Sequence, residues 1–206
     1  MLQKIFKIAL VKTNFSFAKQ FLLIFLLSFS SSVISDSYFT GNTGYFDPKI
    51  EFTNFNEQYL EFLILDKVNQ IRETYNAQSL KYDEKLKLAA YSQAKDMKRW
   101  NRVSHTQISL KKATLMKRMQ YFHIPYKYVG ENLADVYLDT RLNVNFSKET
   151  IWVSSYKEAA DTLVLSWKYS PGHFENMIDP KFKYTGIKVT YNQNRKTIYA
   201  AQVFGG

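Results

Sequence analysis

The stretch Trp167-Lys-Tyr-Ser-Pro-Gly-His-Phe-Glu-Asn-Met-Ile-Asp-Pro-Lys-Phe182, followed closely by Thr185-Gly-Ile-Lys-Val-Thr-Tyr191, decides the fold. Ser170-Pro171-Gly172 reads as turn chemistry, since proline fixes its own φ and glycine frees the next. His173 then opens a short apolar turn, Phe174 to Ile178. Asp179-Pro180 ends it, because the residue before a proline is pushed out of the helical region. In the strand that follows, Ile187, Val189 and Tyr191 share one face, and Lys188 and Thr190 the other. A histidine is therefore expected on a tight corner between a helix and a sheet, where a polar side chain can face a cleft.

Downstream, Asn192-Gln-Asn-Arg195 reads as the turn of a hairpin whose second strand is Thr197 to Phe204. Ile198, Ala200 and Phe204 face one way, and Tyr199, Ala201 and Val203 the other. A strand that is apolar on both faces is covered on both faces. Helices must then lie above and below it, which makes a three-layer α-β-α sandwich of the α+β class around a small antiparallel sheet. Upstream, Leu60, Ile64, Val68, Ile71 and Tyr75 form a helical stripe within 59–78. Asp83 caps a second helix, Glu84 to Trp100, with a stripe of Leu86, Ala90, Ala94 and Met97. Ser109 is placed to cap a third, Leu110 to Phe122, ended by Pro125. Thr150 to Val153 reads as strand, and Ser155-x-x-Glu158 as a capping box opening a helix to about Tyr169.

The 206 residues suit one domain with a substantial core. Apolar residues make up 46% and aromatics 17%, too rich for disorder. Cysteine is absent, which excludes disulfides, thiolate chemistry, cysteine zinc sites and a lipidated cysteine. Residues 1–35 read as a secretory signal peptide. Lys4, Lys7, Lys12 and Lys19 supply a basic start, and Phe21 to Phe29 is an apolar core too short for a membrane span. Ser30 to Ser35 then offers small residues for cleavage. An uncleaved membrane anchor is the alternative. Cleavage lowers the formal net charge from +10 to +6. The lysines spread along the chain, among them Lys81, Lys95, Lys98, Lys111, Lys112 and Lys117, read as solvated helical faces, with a footprint for an anionic polymer or a membrane surface as the alternative; no nucleic-acid motif accompanies them. Residues 36–58 read as a linker or an arm packed on the domain, which itself spans 59–206.

Five short motifs occur in order: Ser104-His105-Thr106; Gly130-Glu-Asn-Leu-Ala134; Trp167 with Ser170-Pro-Gly-His173-x-x-Asn176; Gly186-Ile-Lys-Val189; and Tyr199-x-x-Gln202-x-Phe204-Gly205. Together they resemble the CAP superfamily of SCP-like proteins, which covers cysteine-rich secretory proteins, antigen 5 and plant pathogenesis-related proteins. The Ser-Pro-Gly-His form and the lack of cysteine resemble its bacterial, disulfide-free branch. The resemblance spans about residues 60 to 206. It implies the same α-β-α sandwich and a central cavity lined by His105, Glu131 and His173. Many members carry a second glutamate shortly after the tryptophan matched by Trp167. Here that region reads Lys168-Tyr169-Ser170. His123 falls on no motif and reads as structural or surface, while Asn132 and Asn176 read as turn or loop brackets.

The resemblance implies a secreted or cell-envelope protein, extracellular and non-catalytic, that binds a partner. Lipid or sterol, a cell-surface or envelope component, and a divalent metal such as zinc are the expected partners. His105, Glu131 and His173 are the expected metal ligands, since zinc accepts imidazole nitrogen and carboxylate oxygen. The alternative is a metal-dependent hydrolase in which Glu131 acts as base beside His105 and His173. No Gly-x-Ser-x-Gly motif supplies a nucleophile.

Overall fold

The computed structural model describes residues 47–139, 141–143 and 150–206, without the side chains of 141–143, 150 and 151. The expected signal peptide and the first part of the expected arm lie outside the described residues. Five helices and six strands follow in chain order: α1 (Glu57–Thr74), β1 (Lys81–Tyr82), α2 (Glu84–Trp100), α3 (Leu115–Tyr121), β2 (Val129–Tyr137), β3 (Arg141–Asn143), β4 (Thr150–Trp152), α4 (Tyr156–Lys168), α5 (Pro171–Ile178), β5 (Tyr184–Asn192) and β6 (Thr197–Gly205). The main sheet has the order β1-β5-β6-β2. β5, β6 and β2 are antiparallel, while the two residues of β1 run parallel to β5, so the sheet is mixed. A two-residue strand with both side chains exposed leaves no period to read. β3 and β4 form a separate antiparallel pair.

β6 is buried along its whole length and divides two cores. On one face Ile198, Ala200 and Phe204 pack with Ile187, Val189, Ala134 and Val136 against α1, α4 and α5, with Trp167 fully buried among them. On the other, Tyr199, Ala201, Val203 and Leu133 pack against α2 and α3 through Leu86, Ala90, Ala94, Met97 and Met119. The three layers expected from a strand apolar on both faces are present.

Several boundaries move for physical reasons. α1 ends at Thr74, and Tyr75 is exposed where it was expected on the buried stripe. Arg72 takes that place, fully buried, with its guanidinium donating to the carbonyls of Gln78, Met177 and Phe182. The expected helix 110–122 is split: Leu110–Lys112 is a single 3-10 turn, and Thr114, not Ser109, caps α3 through the Lys117 N–H. Pro171 occupies the first turn of α5, where its missing N–H costs nothing. Gly172 has no positive φ, so Ser170-Pro171-Gly172 starts a helix and does not form a turn. Asp83 caps α2, and the Ser155–Glu158 capping box opens α4. Residues 47–56 pack on the domain: Ile50 enters the core, and Asp47 accepts from the Lys157 N–H at the start of α4.

Candidate functional site at the edge of the sheet

β2 is an edge strand, and its side chains alternate between the two cores. Leu133 faces α2 and α3, while Ala134 and Val136 face α1, α4 and α5. By the same alternation Glu131 lies on the α3 side and Asn132 on the α5 side. His105 arrives from the α2–α3 loop on one side of the edge, and His173 from the first turn of α5 on the other. Their rings stand 5.9 Å apart between centroids. The three residues expected at the cavity are thus brought to one end of one strand.

Glu131 is buried and both of its oxygens are engaged. Oε1 accepts from His105 Nδ1 at 2.8 Å, and Oε2 accepts from Arg118 Nη2 of α3. An ionised carboxylate only accepts, so Nδ1 carries the proton and His105 presents Nε2 outward. Arg118 has no exposed surface, and its Nη1 reaches the carbonyls of His105 at 3.4 Å and Lys112 at 3.3 Å. One buried guanidinium therefore fixes the carboxylate and the loop that carries the histidine. A glutamine pair completes the support. Gln93 of α2 donates to the Ser104 carbonyl and accepts from Gln107 Nε2 at 3.0 Å.

His173 is half-buried, and its imidazole is held below the ordinary histidine value. Burial is the main cause and the neighbouring His105 adds to it, while Glu131 opposes them. Asn132 has no exposed surface; its Nδ2 donates to the His173 carbonyl at 3.0 Å, and its Oδ1 accepts from Asn176 Nδ2 at 3.0 Å. Buried Asn132 and half-buried Asn176 clamp strand to helix and are not the turn brackets expected. Gly130 makes room for them, because a Cβ there would sit 2.8 Å from Asn176 Oδ1. His123 is exposed with φ of 54°.

Sequence reasoning missed Arg118, Gln93 and Gln107. An arginine on a seven-residue helix carries no mark of burial. Gln93 did carry one, since it follows Ala90 by three residues and precedes Met97 by four, on the apolar face of α2. Among the described residues, no group of three or more His, Asp or Glu is placed to hold a metal ion.

Fold and site define a class: a disulfide-free α-β-α sandwich with two imidazoles and a buried carboxylate at the edge of its sheet. The chain belongs to the CAP family, the cysteine-rich secretory protein family, whose model matches residues 65–204. It is 27% identical over 134 residues to the uncharacterized membrane protein YlbC of Bacillus subtilis, covering 64% of this chain and 32% of that one. The chain thus spans about a third of that relative's length. An extracellular protein containing a SCP domain from Bacillus anthracis superposes with a TM-score of 0.56 at 24% identity, over 72% of this chain and 41% of the other. An outer surface protein of Borrelia burgdorferi gives 0.56 at 18% identity, over 77% and 97%.

Proposed function

We propose that this is a secreted or surface-held binding domain without turnover, whose cleft takes its ligand through the paired imidazoles of His105 and His173. The observation that carries this reading is the double engagement of Glu131. A carboxylate held by Arg118 on one oxygen and by His105 on the other is poorly placed as a general base, because both of its oxygens already accept hydrogen bonds from protein donors. The hydrolase alternative needs that base. The names of the structural relatives, extracellular in one case and outer-surface in the other, support the location.

A divalent transition metal such as zinc is the ligand class that suits the donors. His105 Nε2 and a ring nitrogen of His173 would hold it, and Glu131 would support His105 from behind, as carboxylates commonly support ligating histidines. The lowered proton affinity of His173 favours the neutral ring that metal binding needs. Calorimetry with zinc tests this. His105→Ala and His173→Ala should each abolish uptake, and Glu131→Gln should weaken it about 10–100-fold. Equal uptake by all four proteins refutes the site. Ester or peptide hydrolysis that disappears in Glu131→Gln refutes the non-catalytic reading.

A lipid or sterol ligand has less support. Phe52, Phe55, Tyr59, Tyr156 and Tyr191 pack on one another, with Phe55 5.6 Å from Tyr156 and 5.0 Å from Tyr191, and so fill space in the domain. Saturable binding of a sterol or fatty acid by the purified protein is the result that would favour it.

A further inference from the structure

Charge is distributed unevenly along the chain. Residues 47–96 carry nine acidic and seven basic residues, whereas residues 97–130 carry eight basic residues and no acidic one. Of these eight, Arg118 is committed to Glu131. Lys98, Arg99, Arg102, Lys111, Lys117 and Lys127 are exposed and Lys112 is half-exposed, and among the described residues none of the seven has an ion-pair partner within 4 Å, although Asp96 of α2 attracts Arg102 and Lys112 from further away. Large apolar side chains stand exposed between them. Leu110 is 81% exposed, Ile108 56% and Met116 52%, with Trp100 and Val103 exposed nearby in sequence.

Those between His105 and Arg118 are held in one region. The Gln107 N–H donates to the Ala113 carbonyl at 2.9 Å and closes the loop, whose ends Arg118 ties down through the carbonyls of His105 and Lys112. Lys112 Nζ lies 5.5 Å from the ring centroid of Tyr121, and the Arg99 guanidinium 5.2 Å from that of Trp100. An exposed leucine beside paired lysines is costly to leave in water and is not explained by the cleft. Rings backed by cations suit the headgroup level of a bilayer.

We propose that the α2–α3 loop and the outer side of α3 form a docking surface for an anionic membrane. Ile108, Leu110 and Met116 enter the headgroup–acyl boundary, while Lys111, Lys112, Lys117, Arg99 and Arg102 meet acidic lipid headgroups. A soluble polyanion would satisfy the cations but would leave the three apolar side chains in water, so the bilayer accounts for more of the surface. The surface includes the loop that carries His105, so docking brings that histidine toward the membrane. It does not depend on metal binding there.

The lack of cysteine allows a single fluorescent label to be read locally. The full chain, labelled at Leu110→Cys or at the control Glu73→Cys on α1 in the opposite layer, is mixed with vesicles carrying a lipid-borne quencher. The vesicles are pure phosphatidylcholine or equal parts phosphatidylcholine and phosphatidylglycerol. Quenching at position 110 on the anionic vesicles alone, reversed by high salt and absent at position 73, is expected. Lys111→Ala/Lys117→Ala should weaken that signal about 30-fold, from the usual contribution of one lysine near an anionic surface. Equal quenching on both vesicle types overturns the proposal, as does quenching at position 73 alone. Salt-sensitive binding to soluble polyphosphate without quenching at position 110 on vesicles also overturns it, in favour of a polymer partner.

Discussion

Arg118 and Glu131 form an ion pair from which water is excluded, joining α3 to the edge strand β2. Removing one member of a buried pair leaves the other charge uncompensated, at a cost of about 3–5 kcal/mol. Arg118→Met should therefore lower the denaturant midpoint sharply and free the loop that carries His105. Replacing both charges, as Arg118→Met/Glu131→Leu, should recover much of the loss, because apolar substitutes avoid the desolvation penalty. A double variant no more stable than Arg118→Met would mean that the pair contributes through its other hydrogen bonds.

His173 links stability to pH. Its proton affinity is lower in the folded protein than in the unfolded chain, through burial and the nearby His105. The unfolded state therefore takes up more protons below about pH 6.5, the ordinary histidine value. Stability should fall as pH drops from there toward the lower folded value, and the contribution is fully present above about pH 6.5. Denaturant midpoints measured across that range should slope less in His173→Gln than in wild type. Identical slopes would show that His173 is not the group responsible.

Helix α2 lies directly on β5 at Gly186. A Cβ there would fall inside the backbone of Leu86 and Lys87, 2.7 Å from Lys87 Cα. Backbone cannot move aside as a flexible side chain can, so Gly186→Ala should cost at least the ~1–3 kcal/mol typical of overpacking. Gly172→Ala is the control, since a Cβ there meets nothing within 4 Å. Equal midpoints for the two variants would show that α2 can lift off the sheet at little cost.

The layering was legible because β6 is apolar on both faces, a pattern that only a covered strand tolerates. Capping residues were legible because they act within one turn: Asp83 accepts from the Leu86 N–H at 2.7 Å, and Ser155 and Glu158 cap one another. The proximity of His105, Glu131 and His173 was legible through short motifs, but what holds them was not. Arg118, thirteen residues from both His105 and Glu131, acts through contacts that leave no period in the sequence. Arg72 misled for the same reason, because its carbonyl partners Met177 and Phe182 lie more than a hundred residues away.

Asn132 offers a test of how the two histidines are kept in register. It donates to the His173 carbonyl and accepts from Asn176, so it ties the first turn of α5 to the strand that carries Glu131. Asn132→Ala leaves a carbonyl and an amide without their partner, and unmade buried hydrogen bonds cost about 1–3 kcal/mol. The loss should fall on the α5 arm: amide hydrogen exchange should quicken over residues 172–178 and stay unchanged in α2. Gly130→Ala gives an independent approach, because its Cβ would press on Asn176 Oδ1 at 2.8 Å and on Phe182 Cζ at 2.9 Å. Both variants keep His105, Glu131 and His173 intact, so weakened zinc uptake in either one reports positioning alone. Unchanged uptake in both, together with lowered stability, would confine the asparagine clamp to holding the fold.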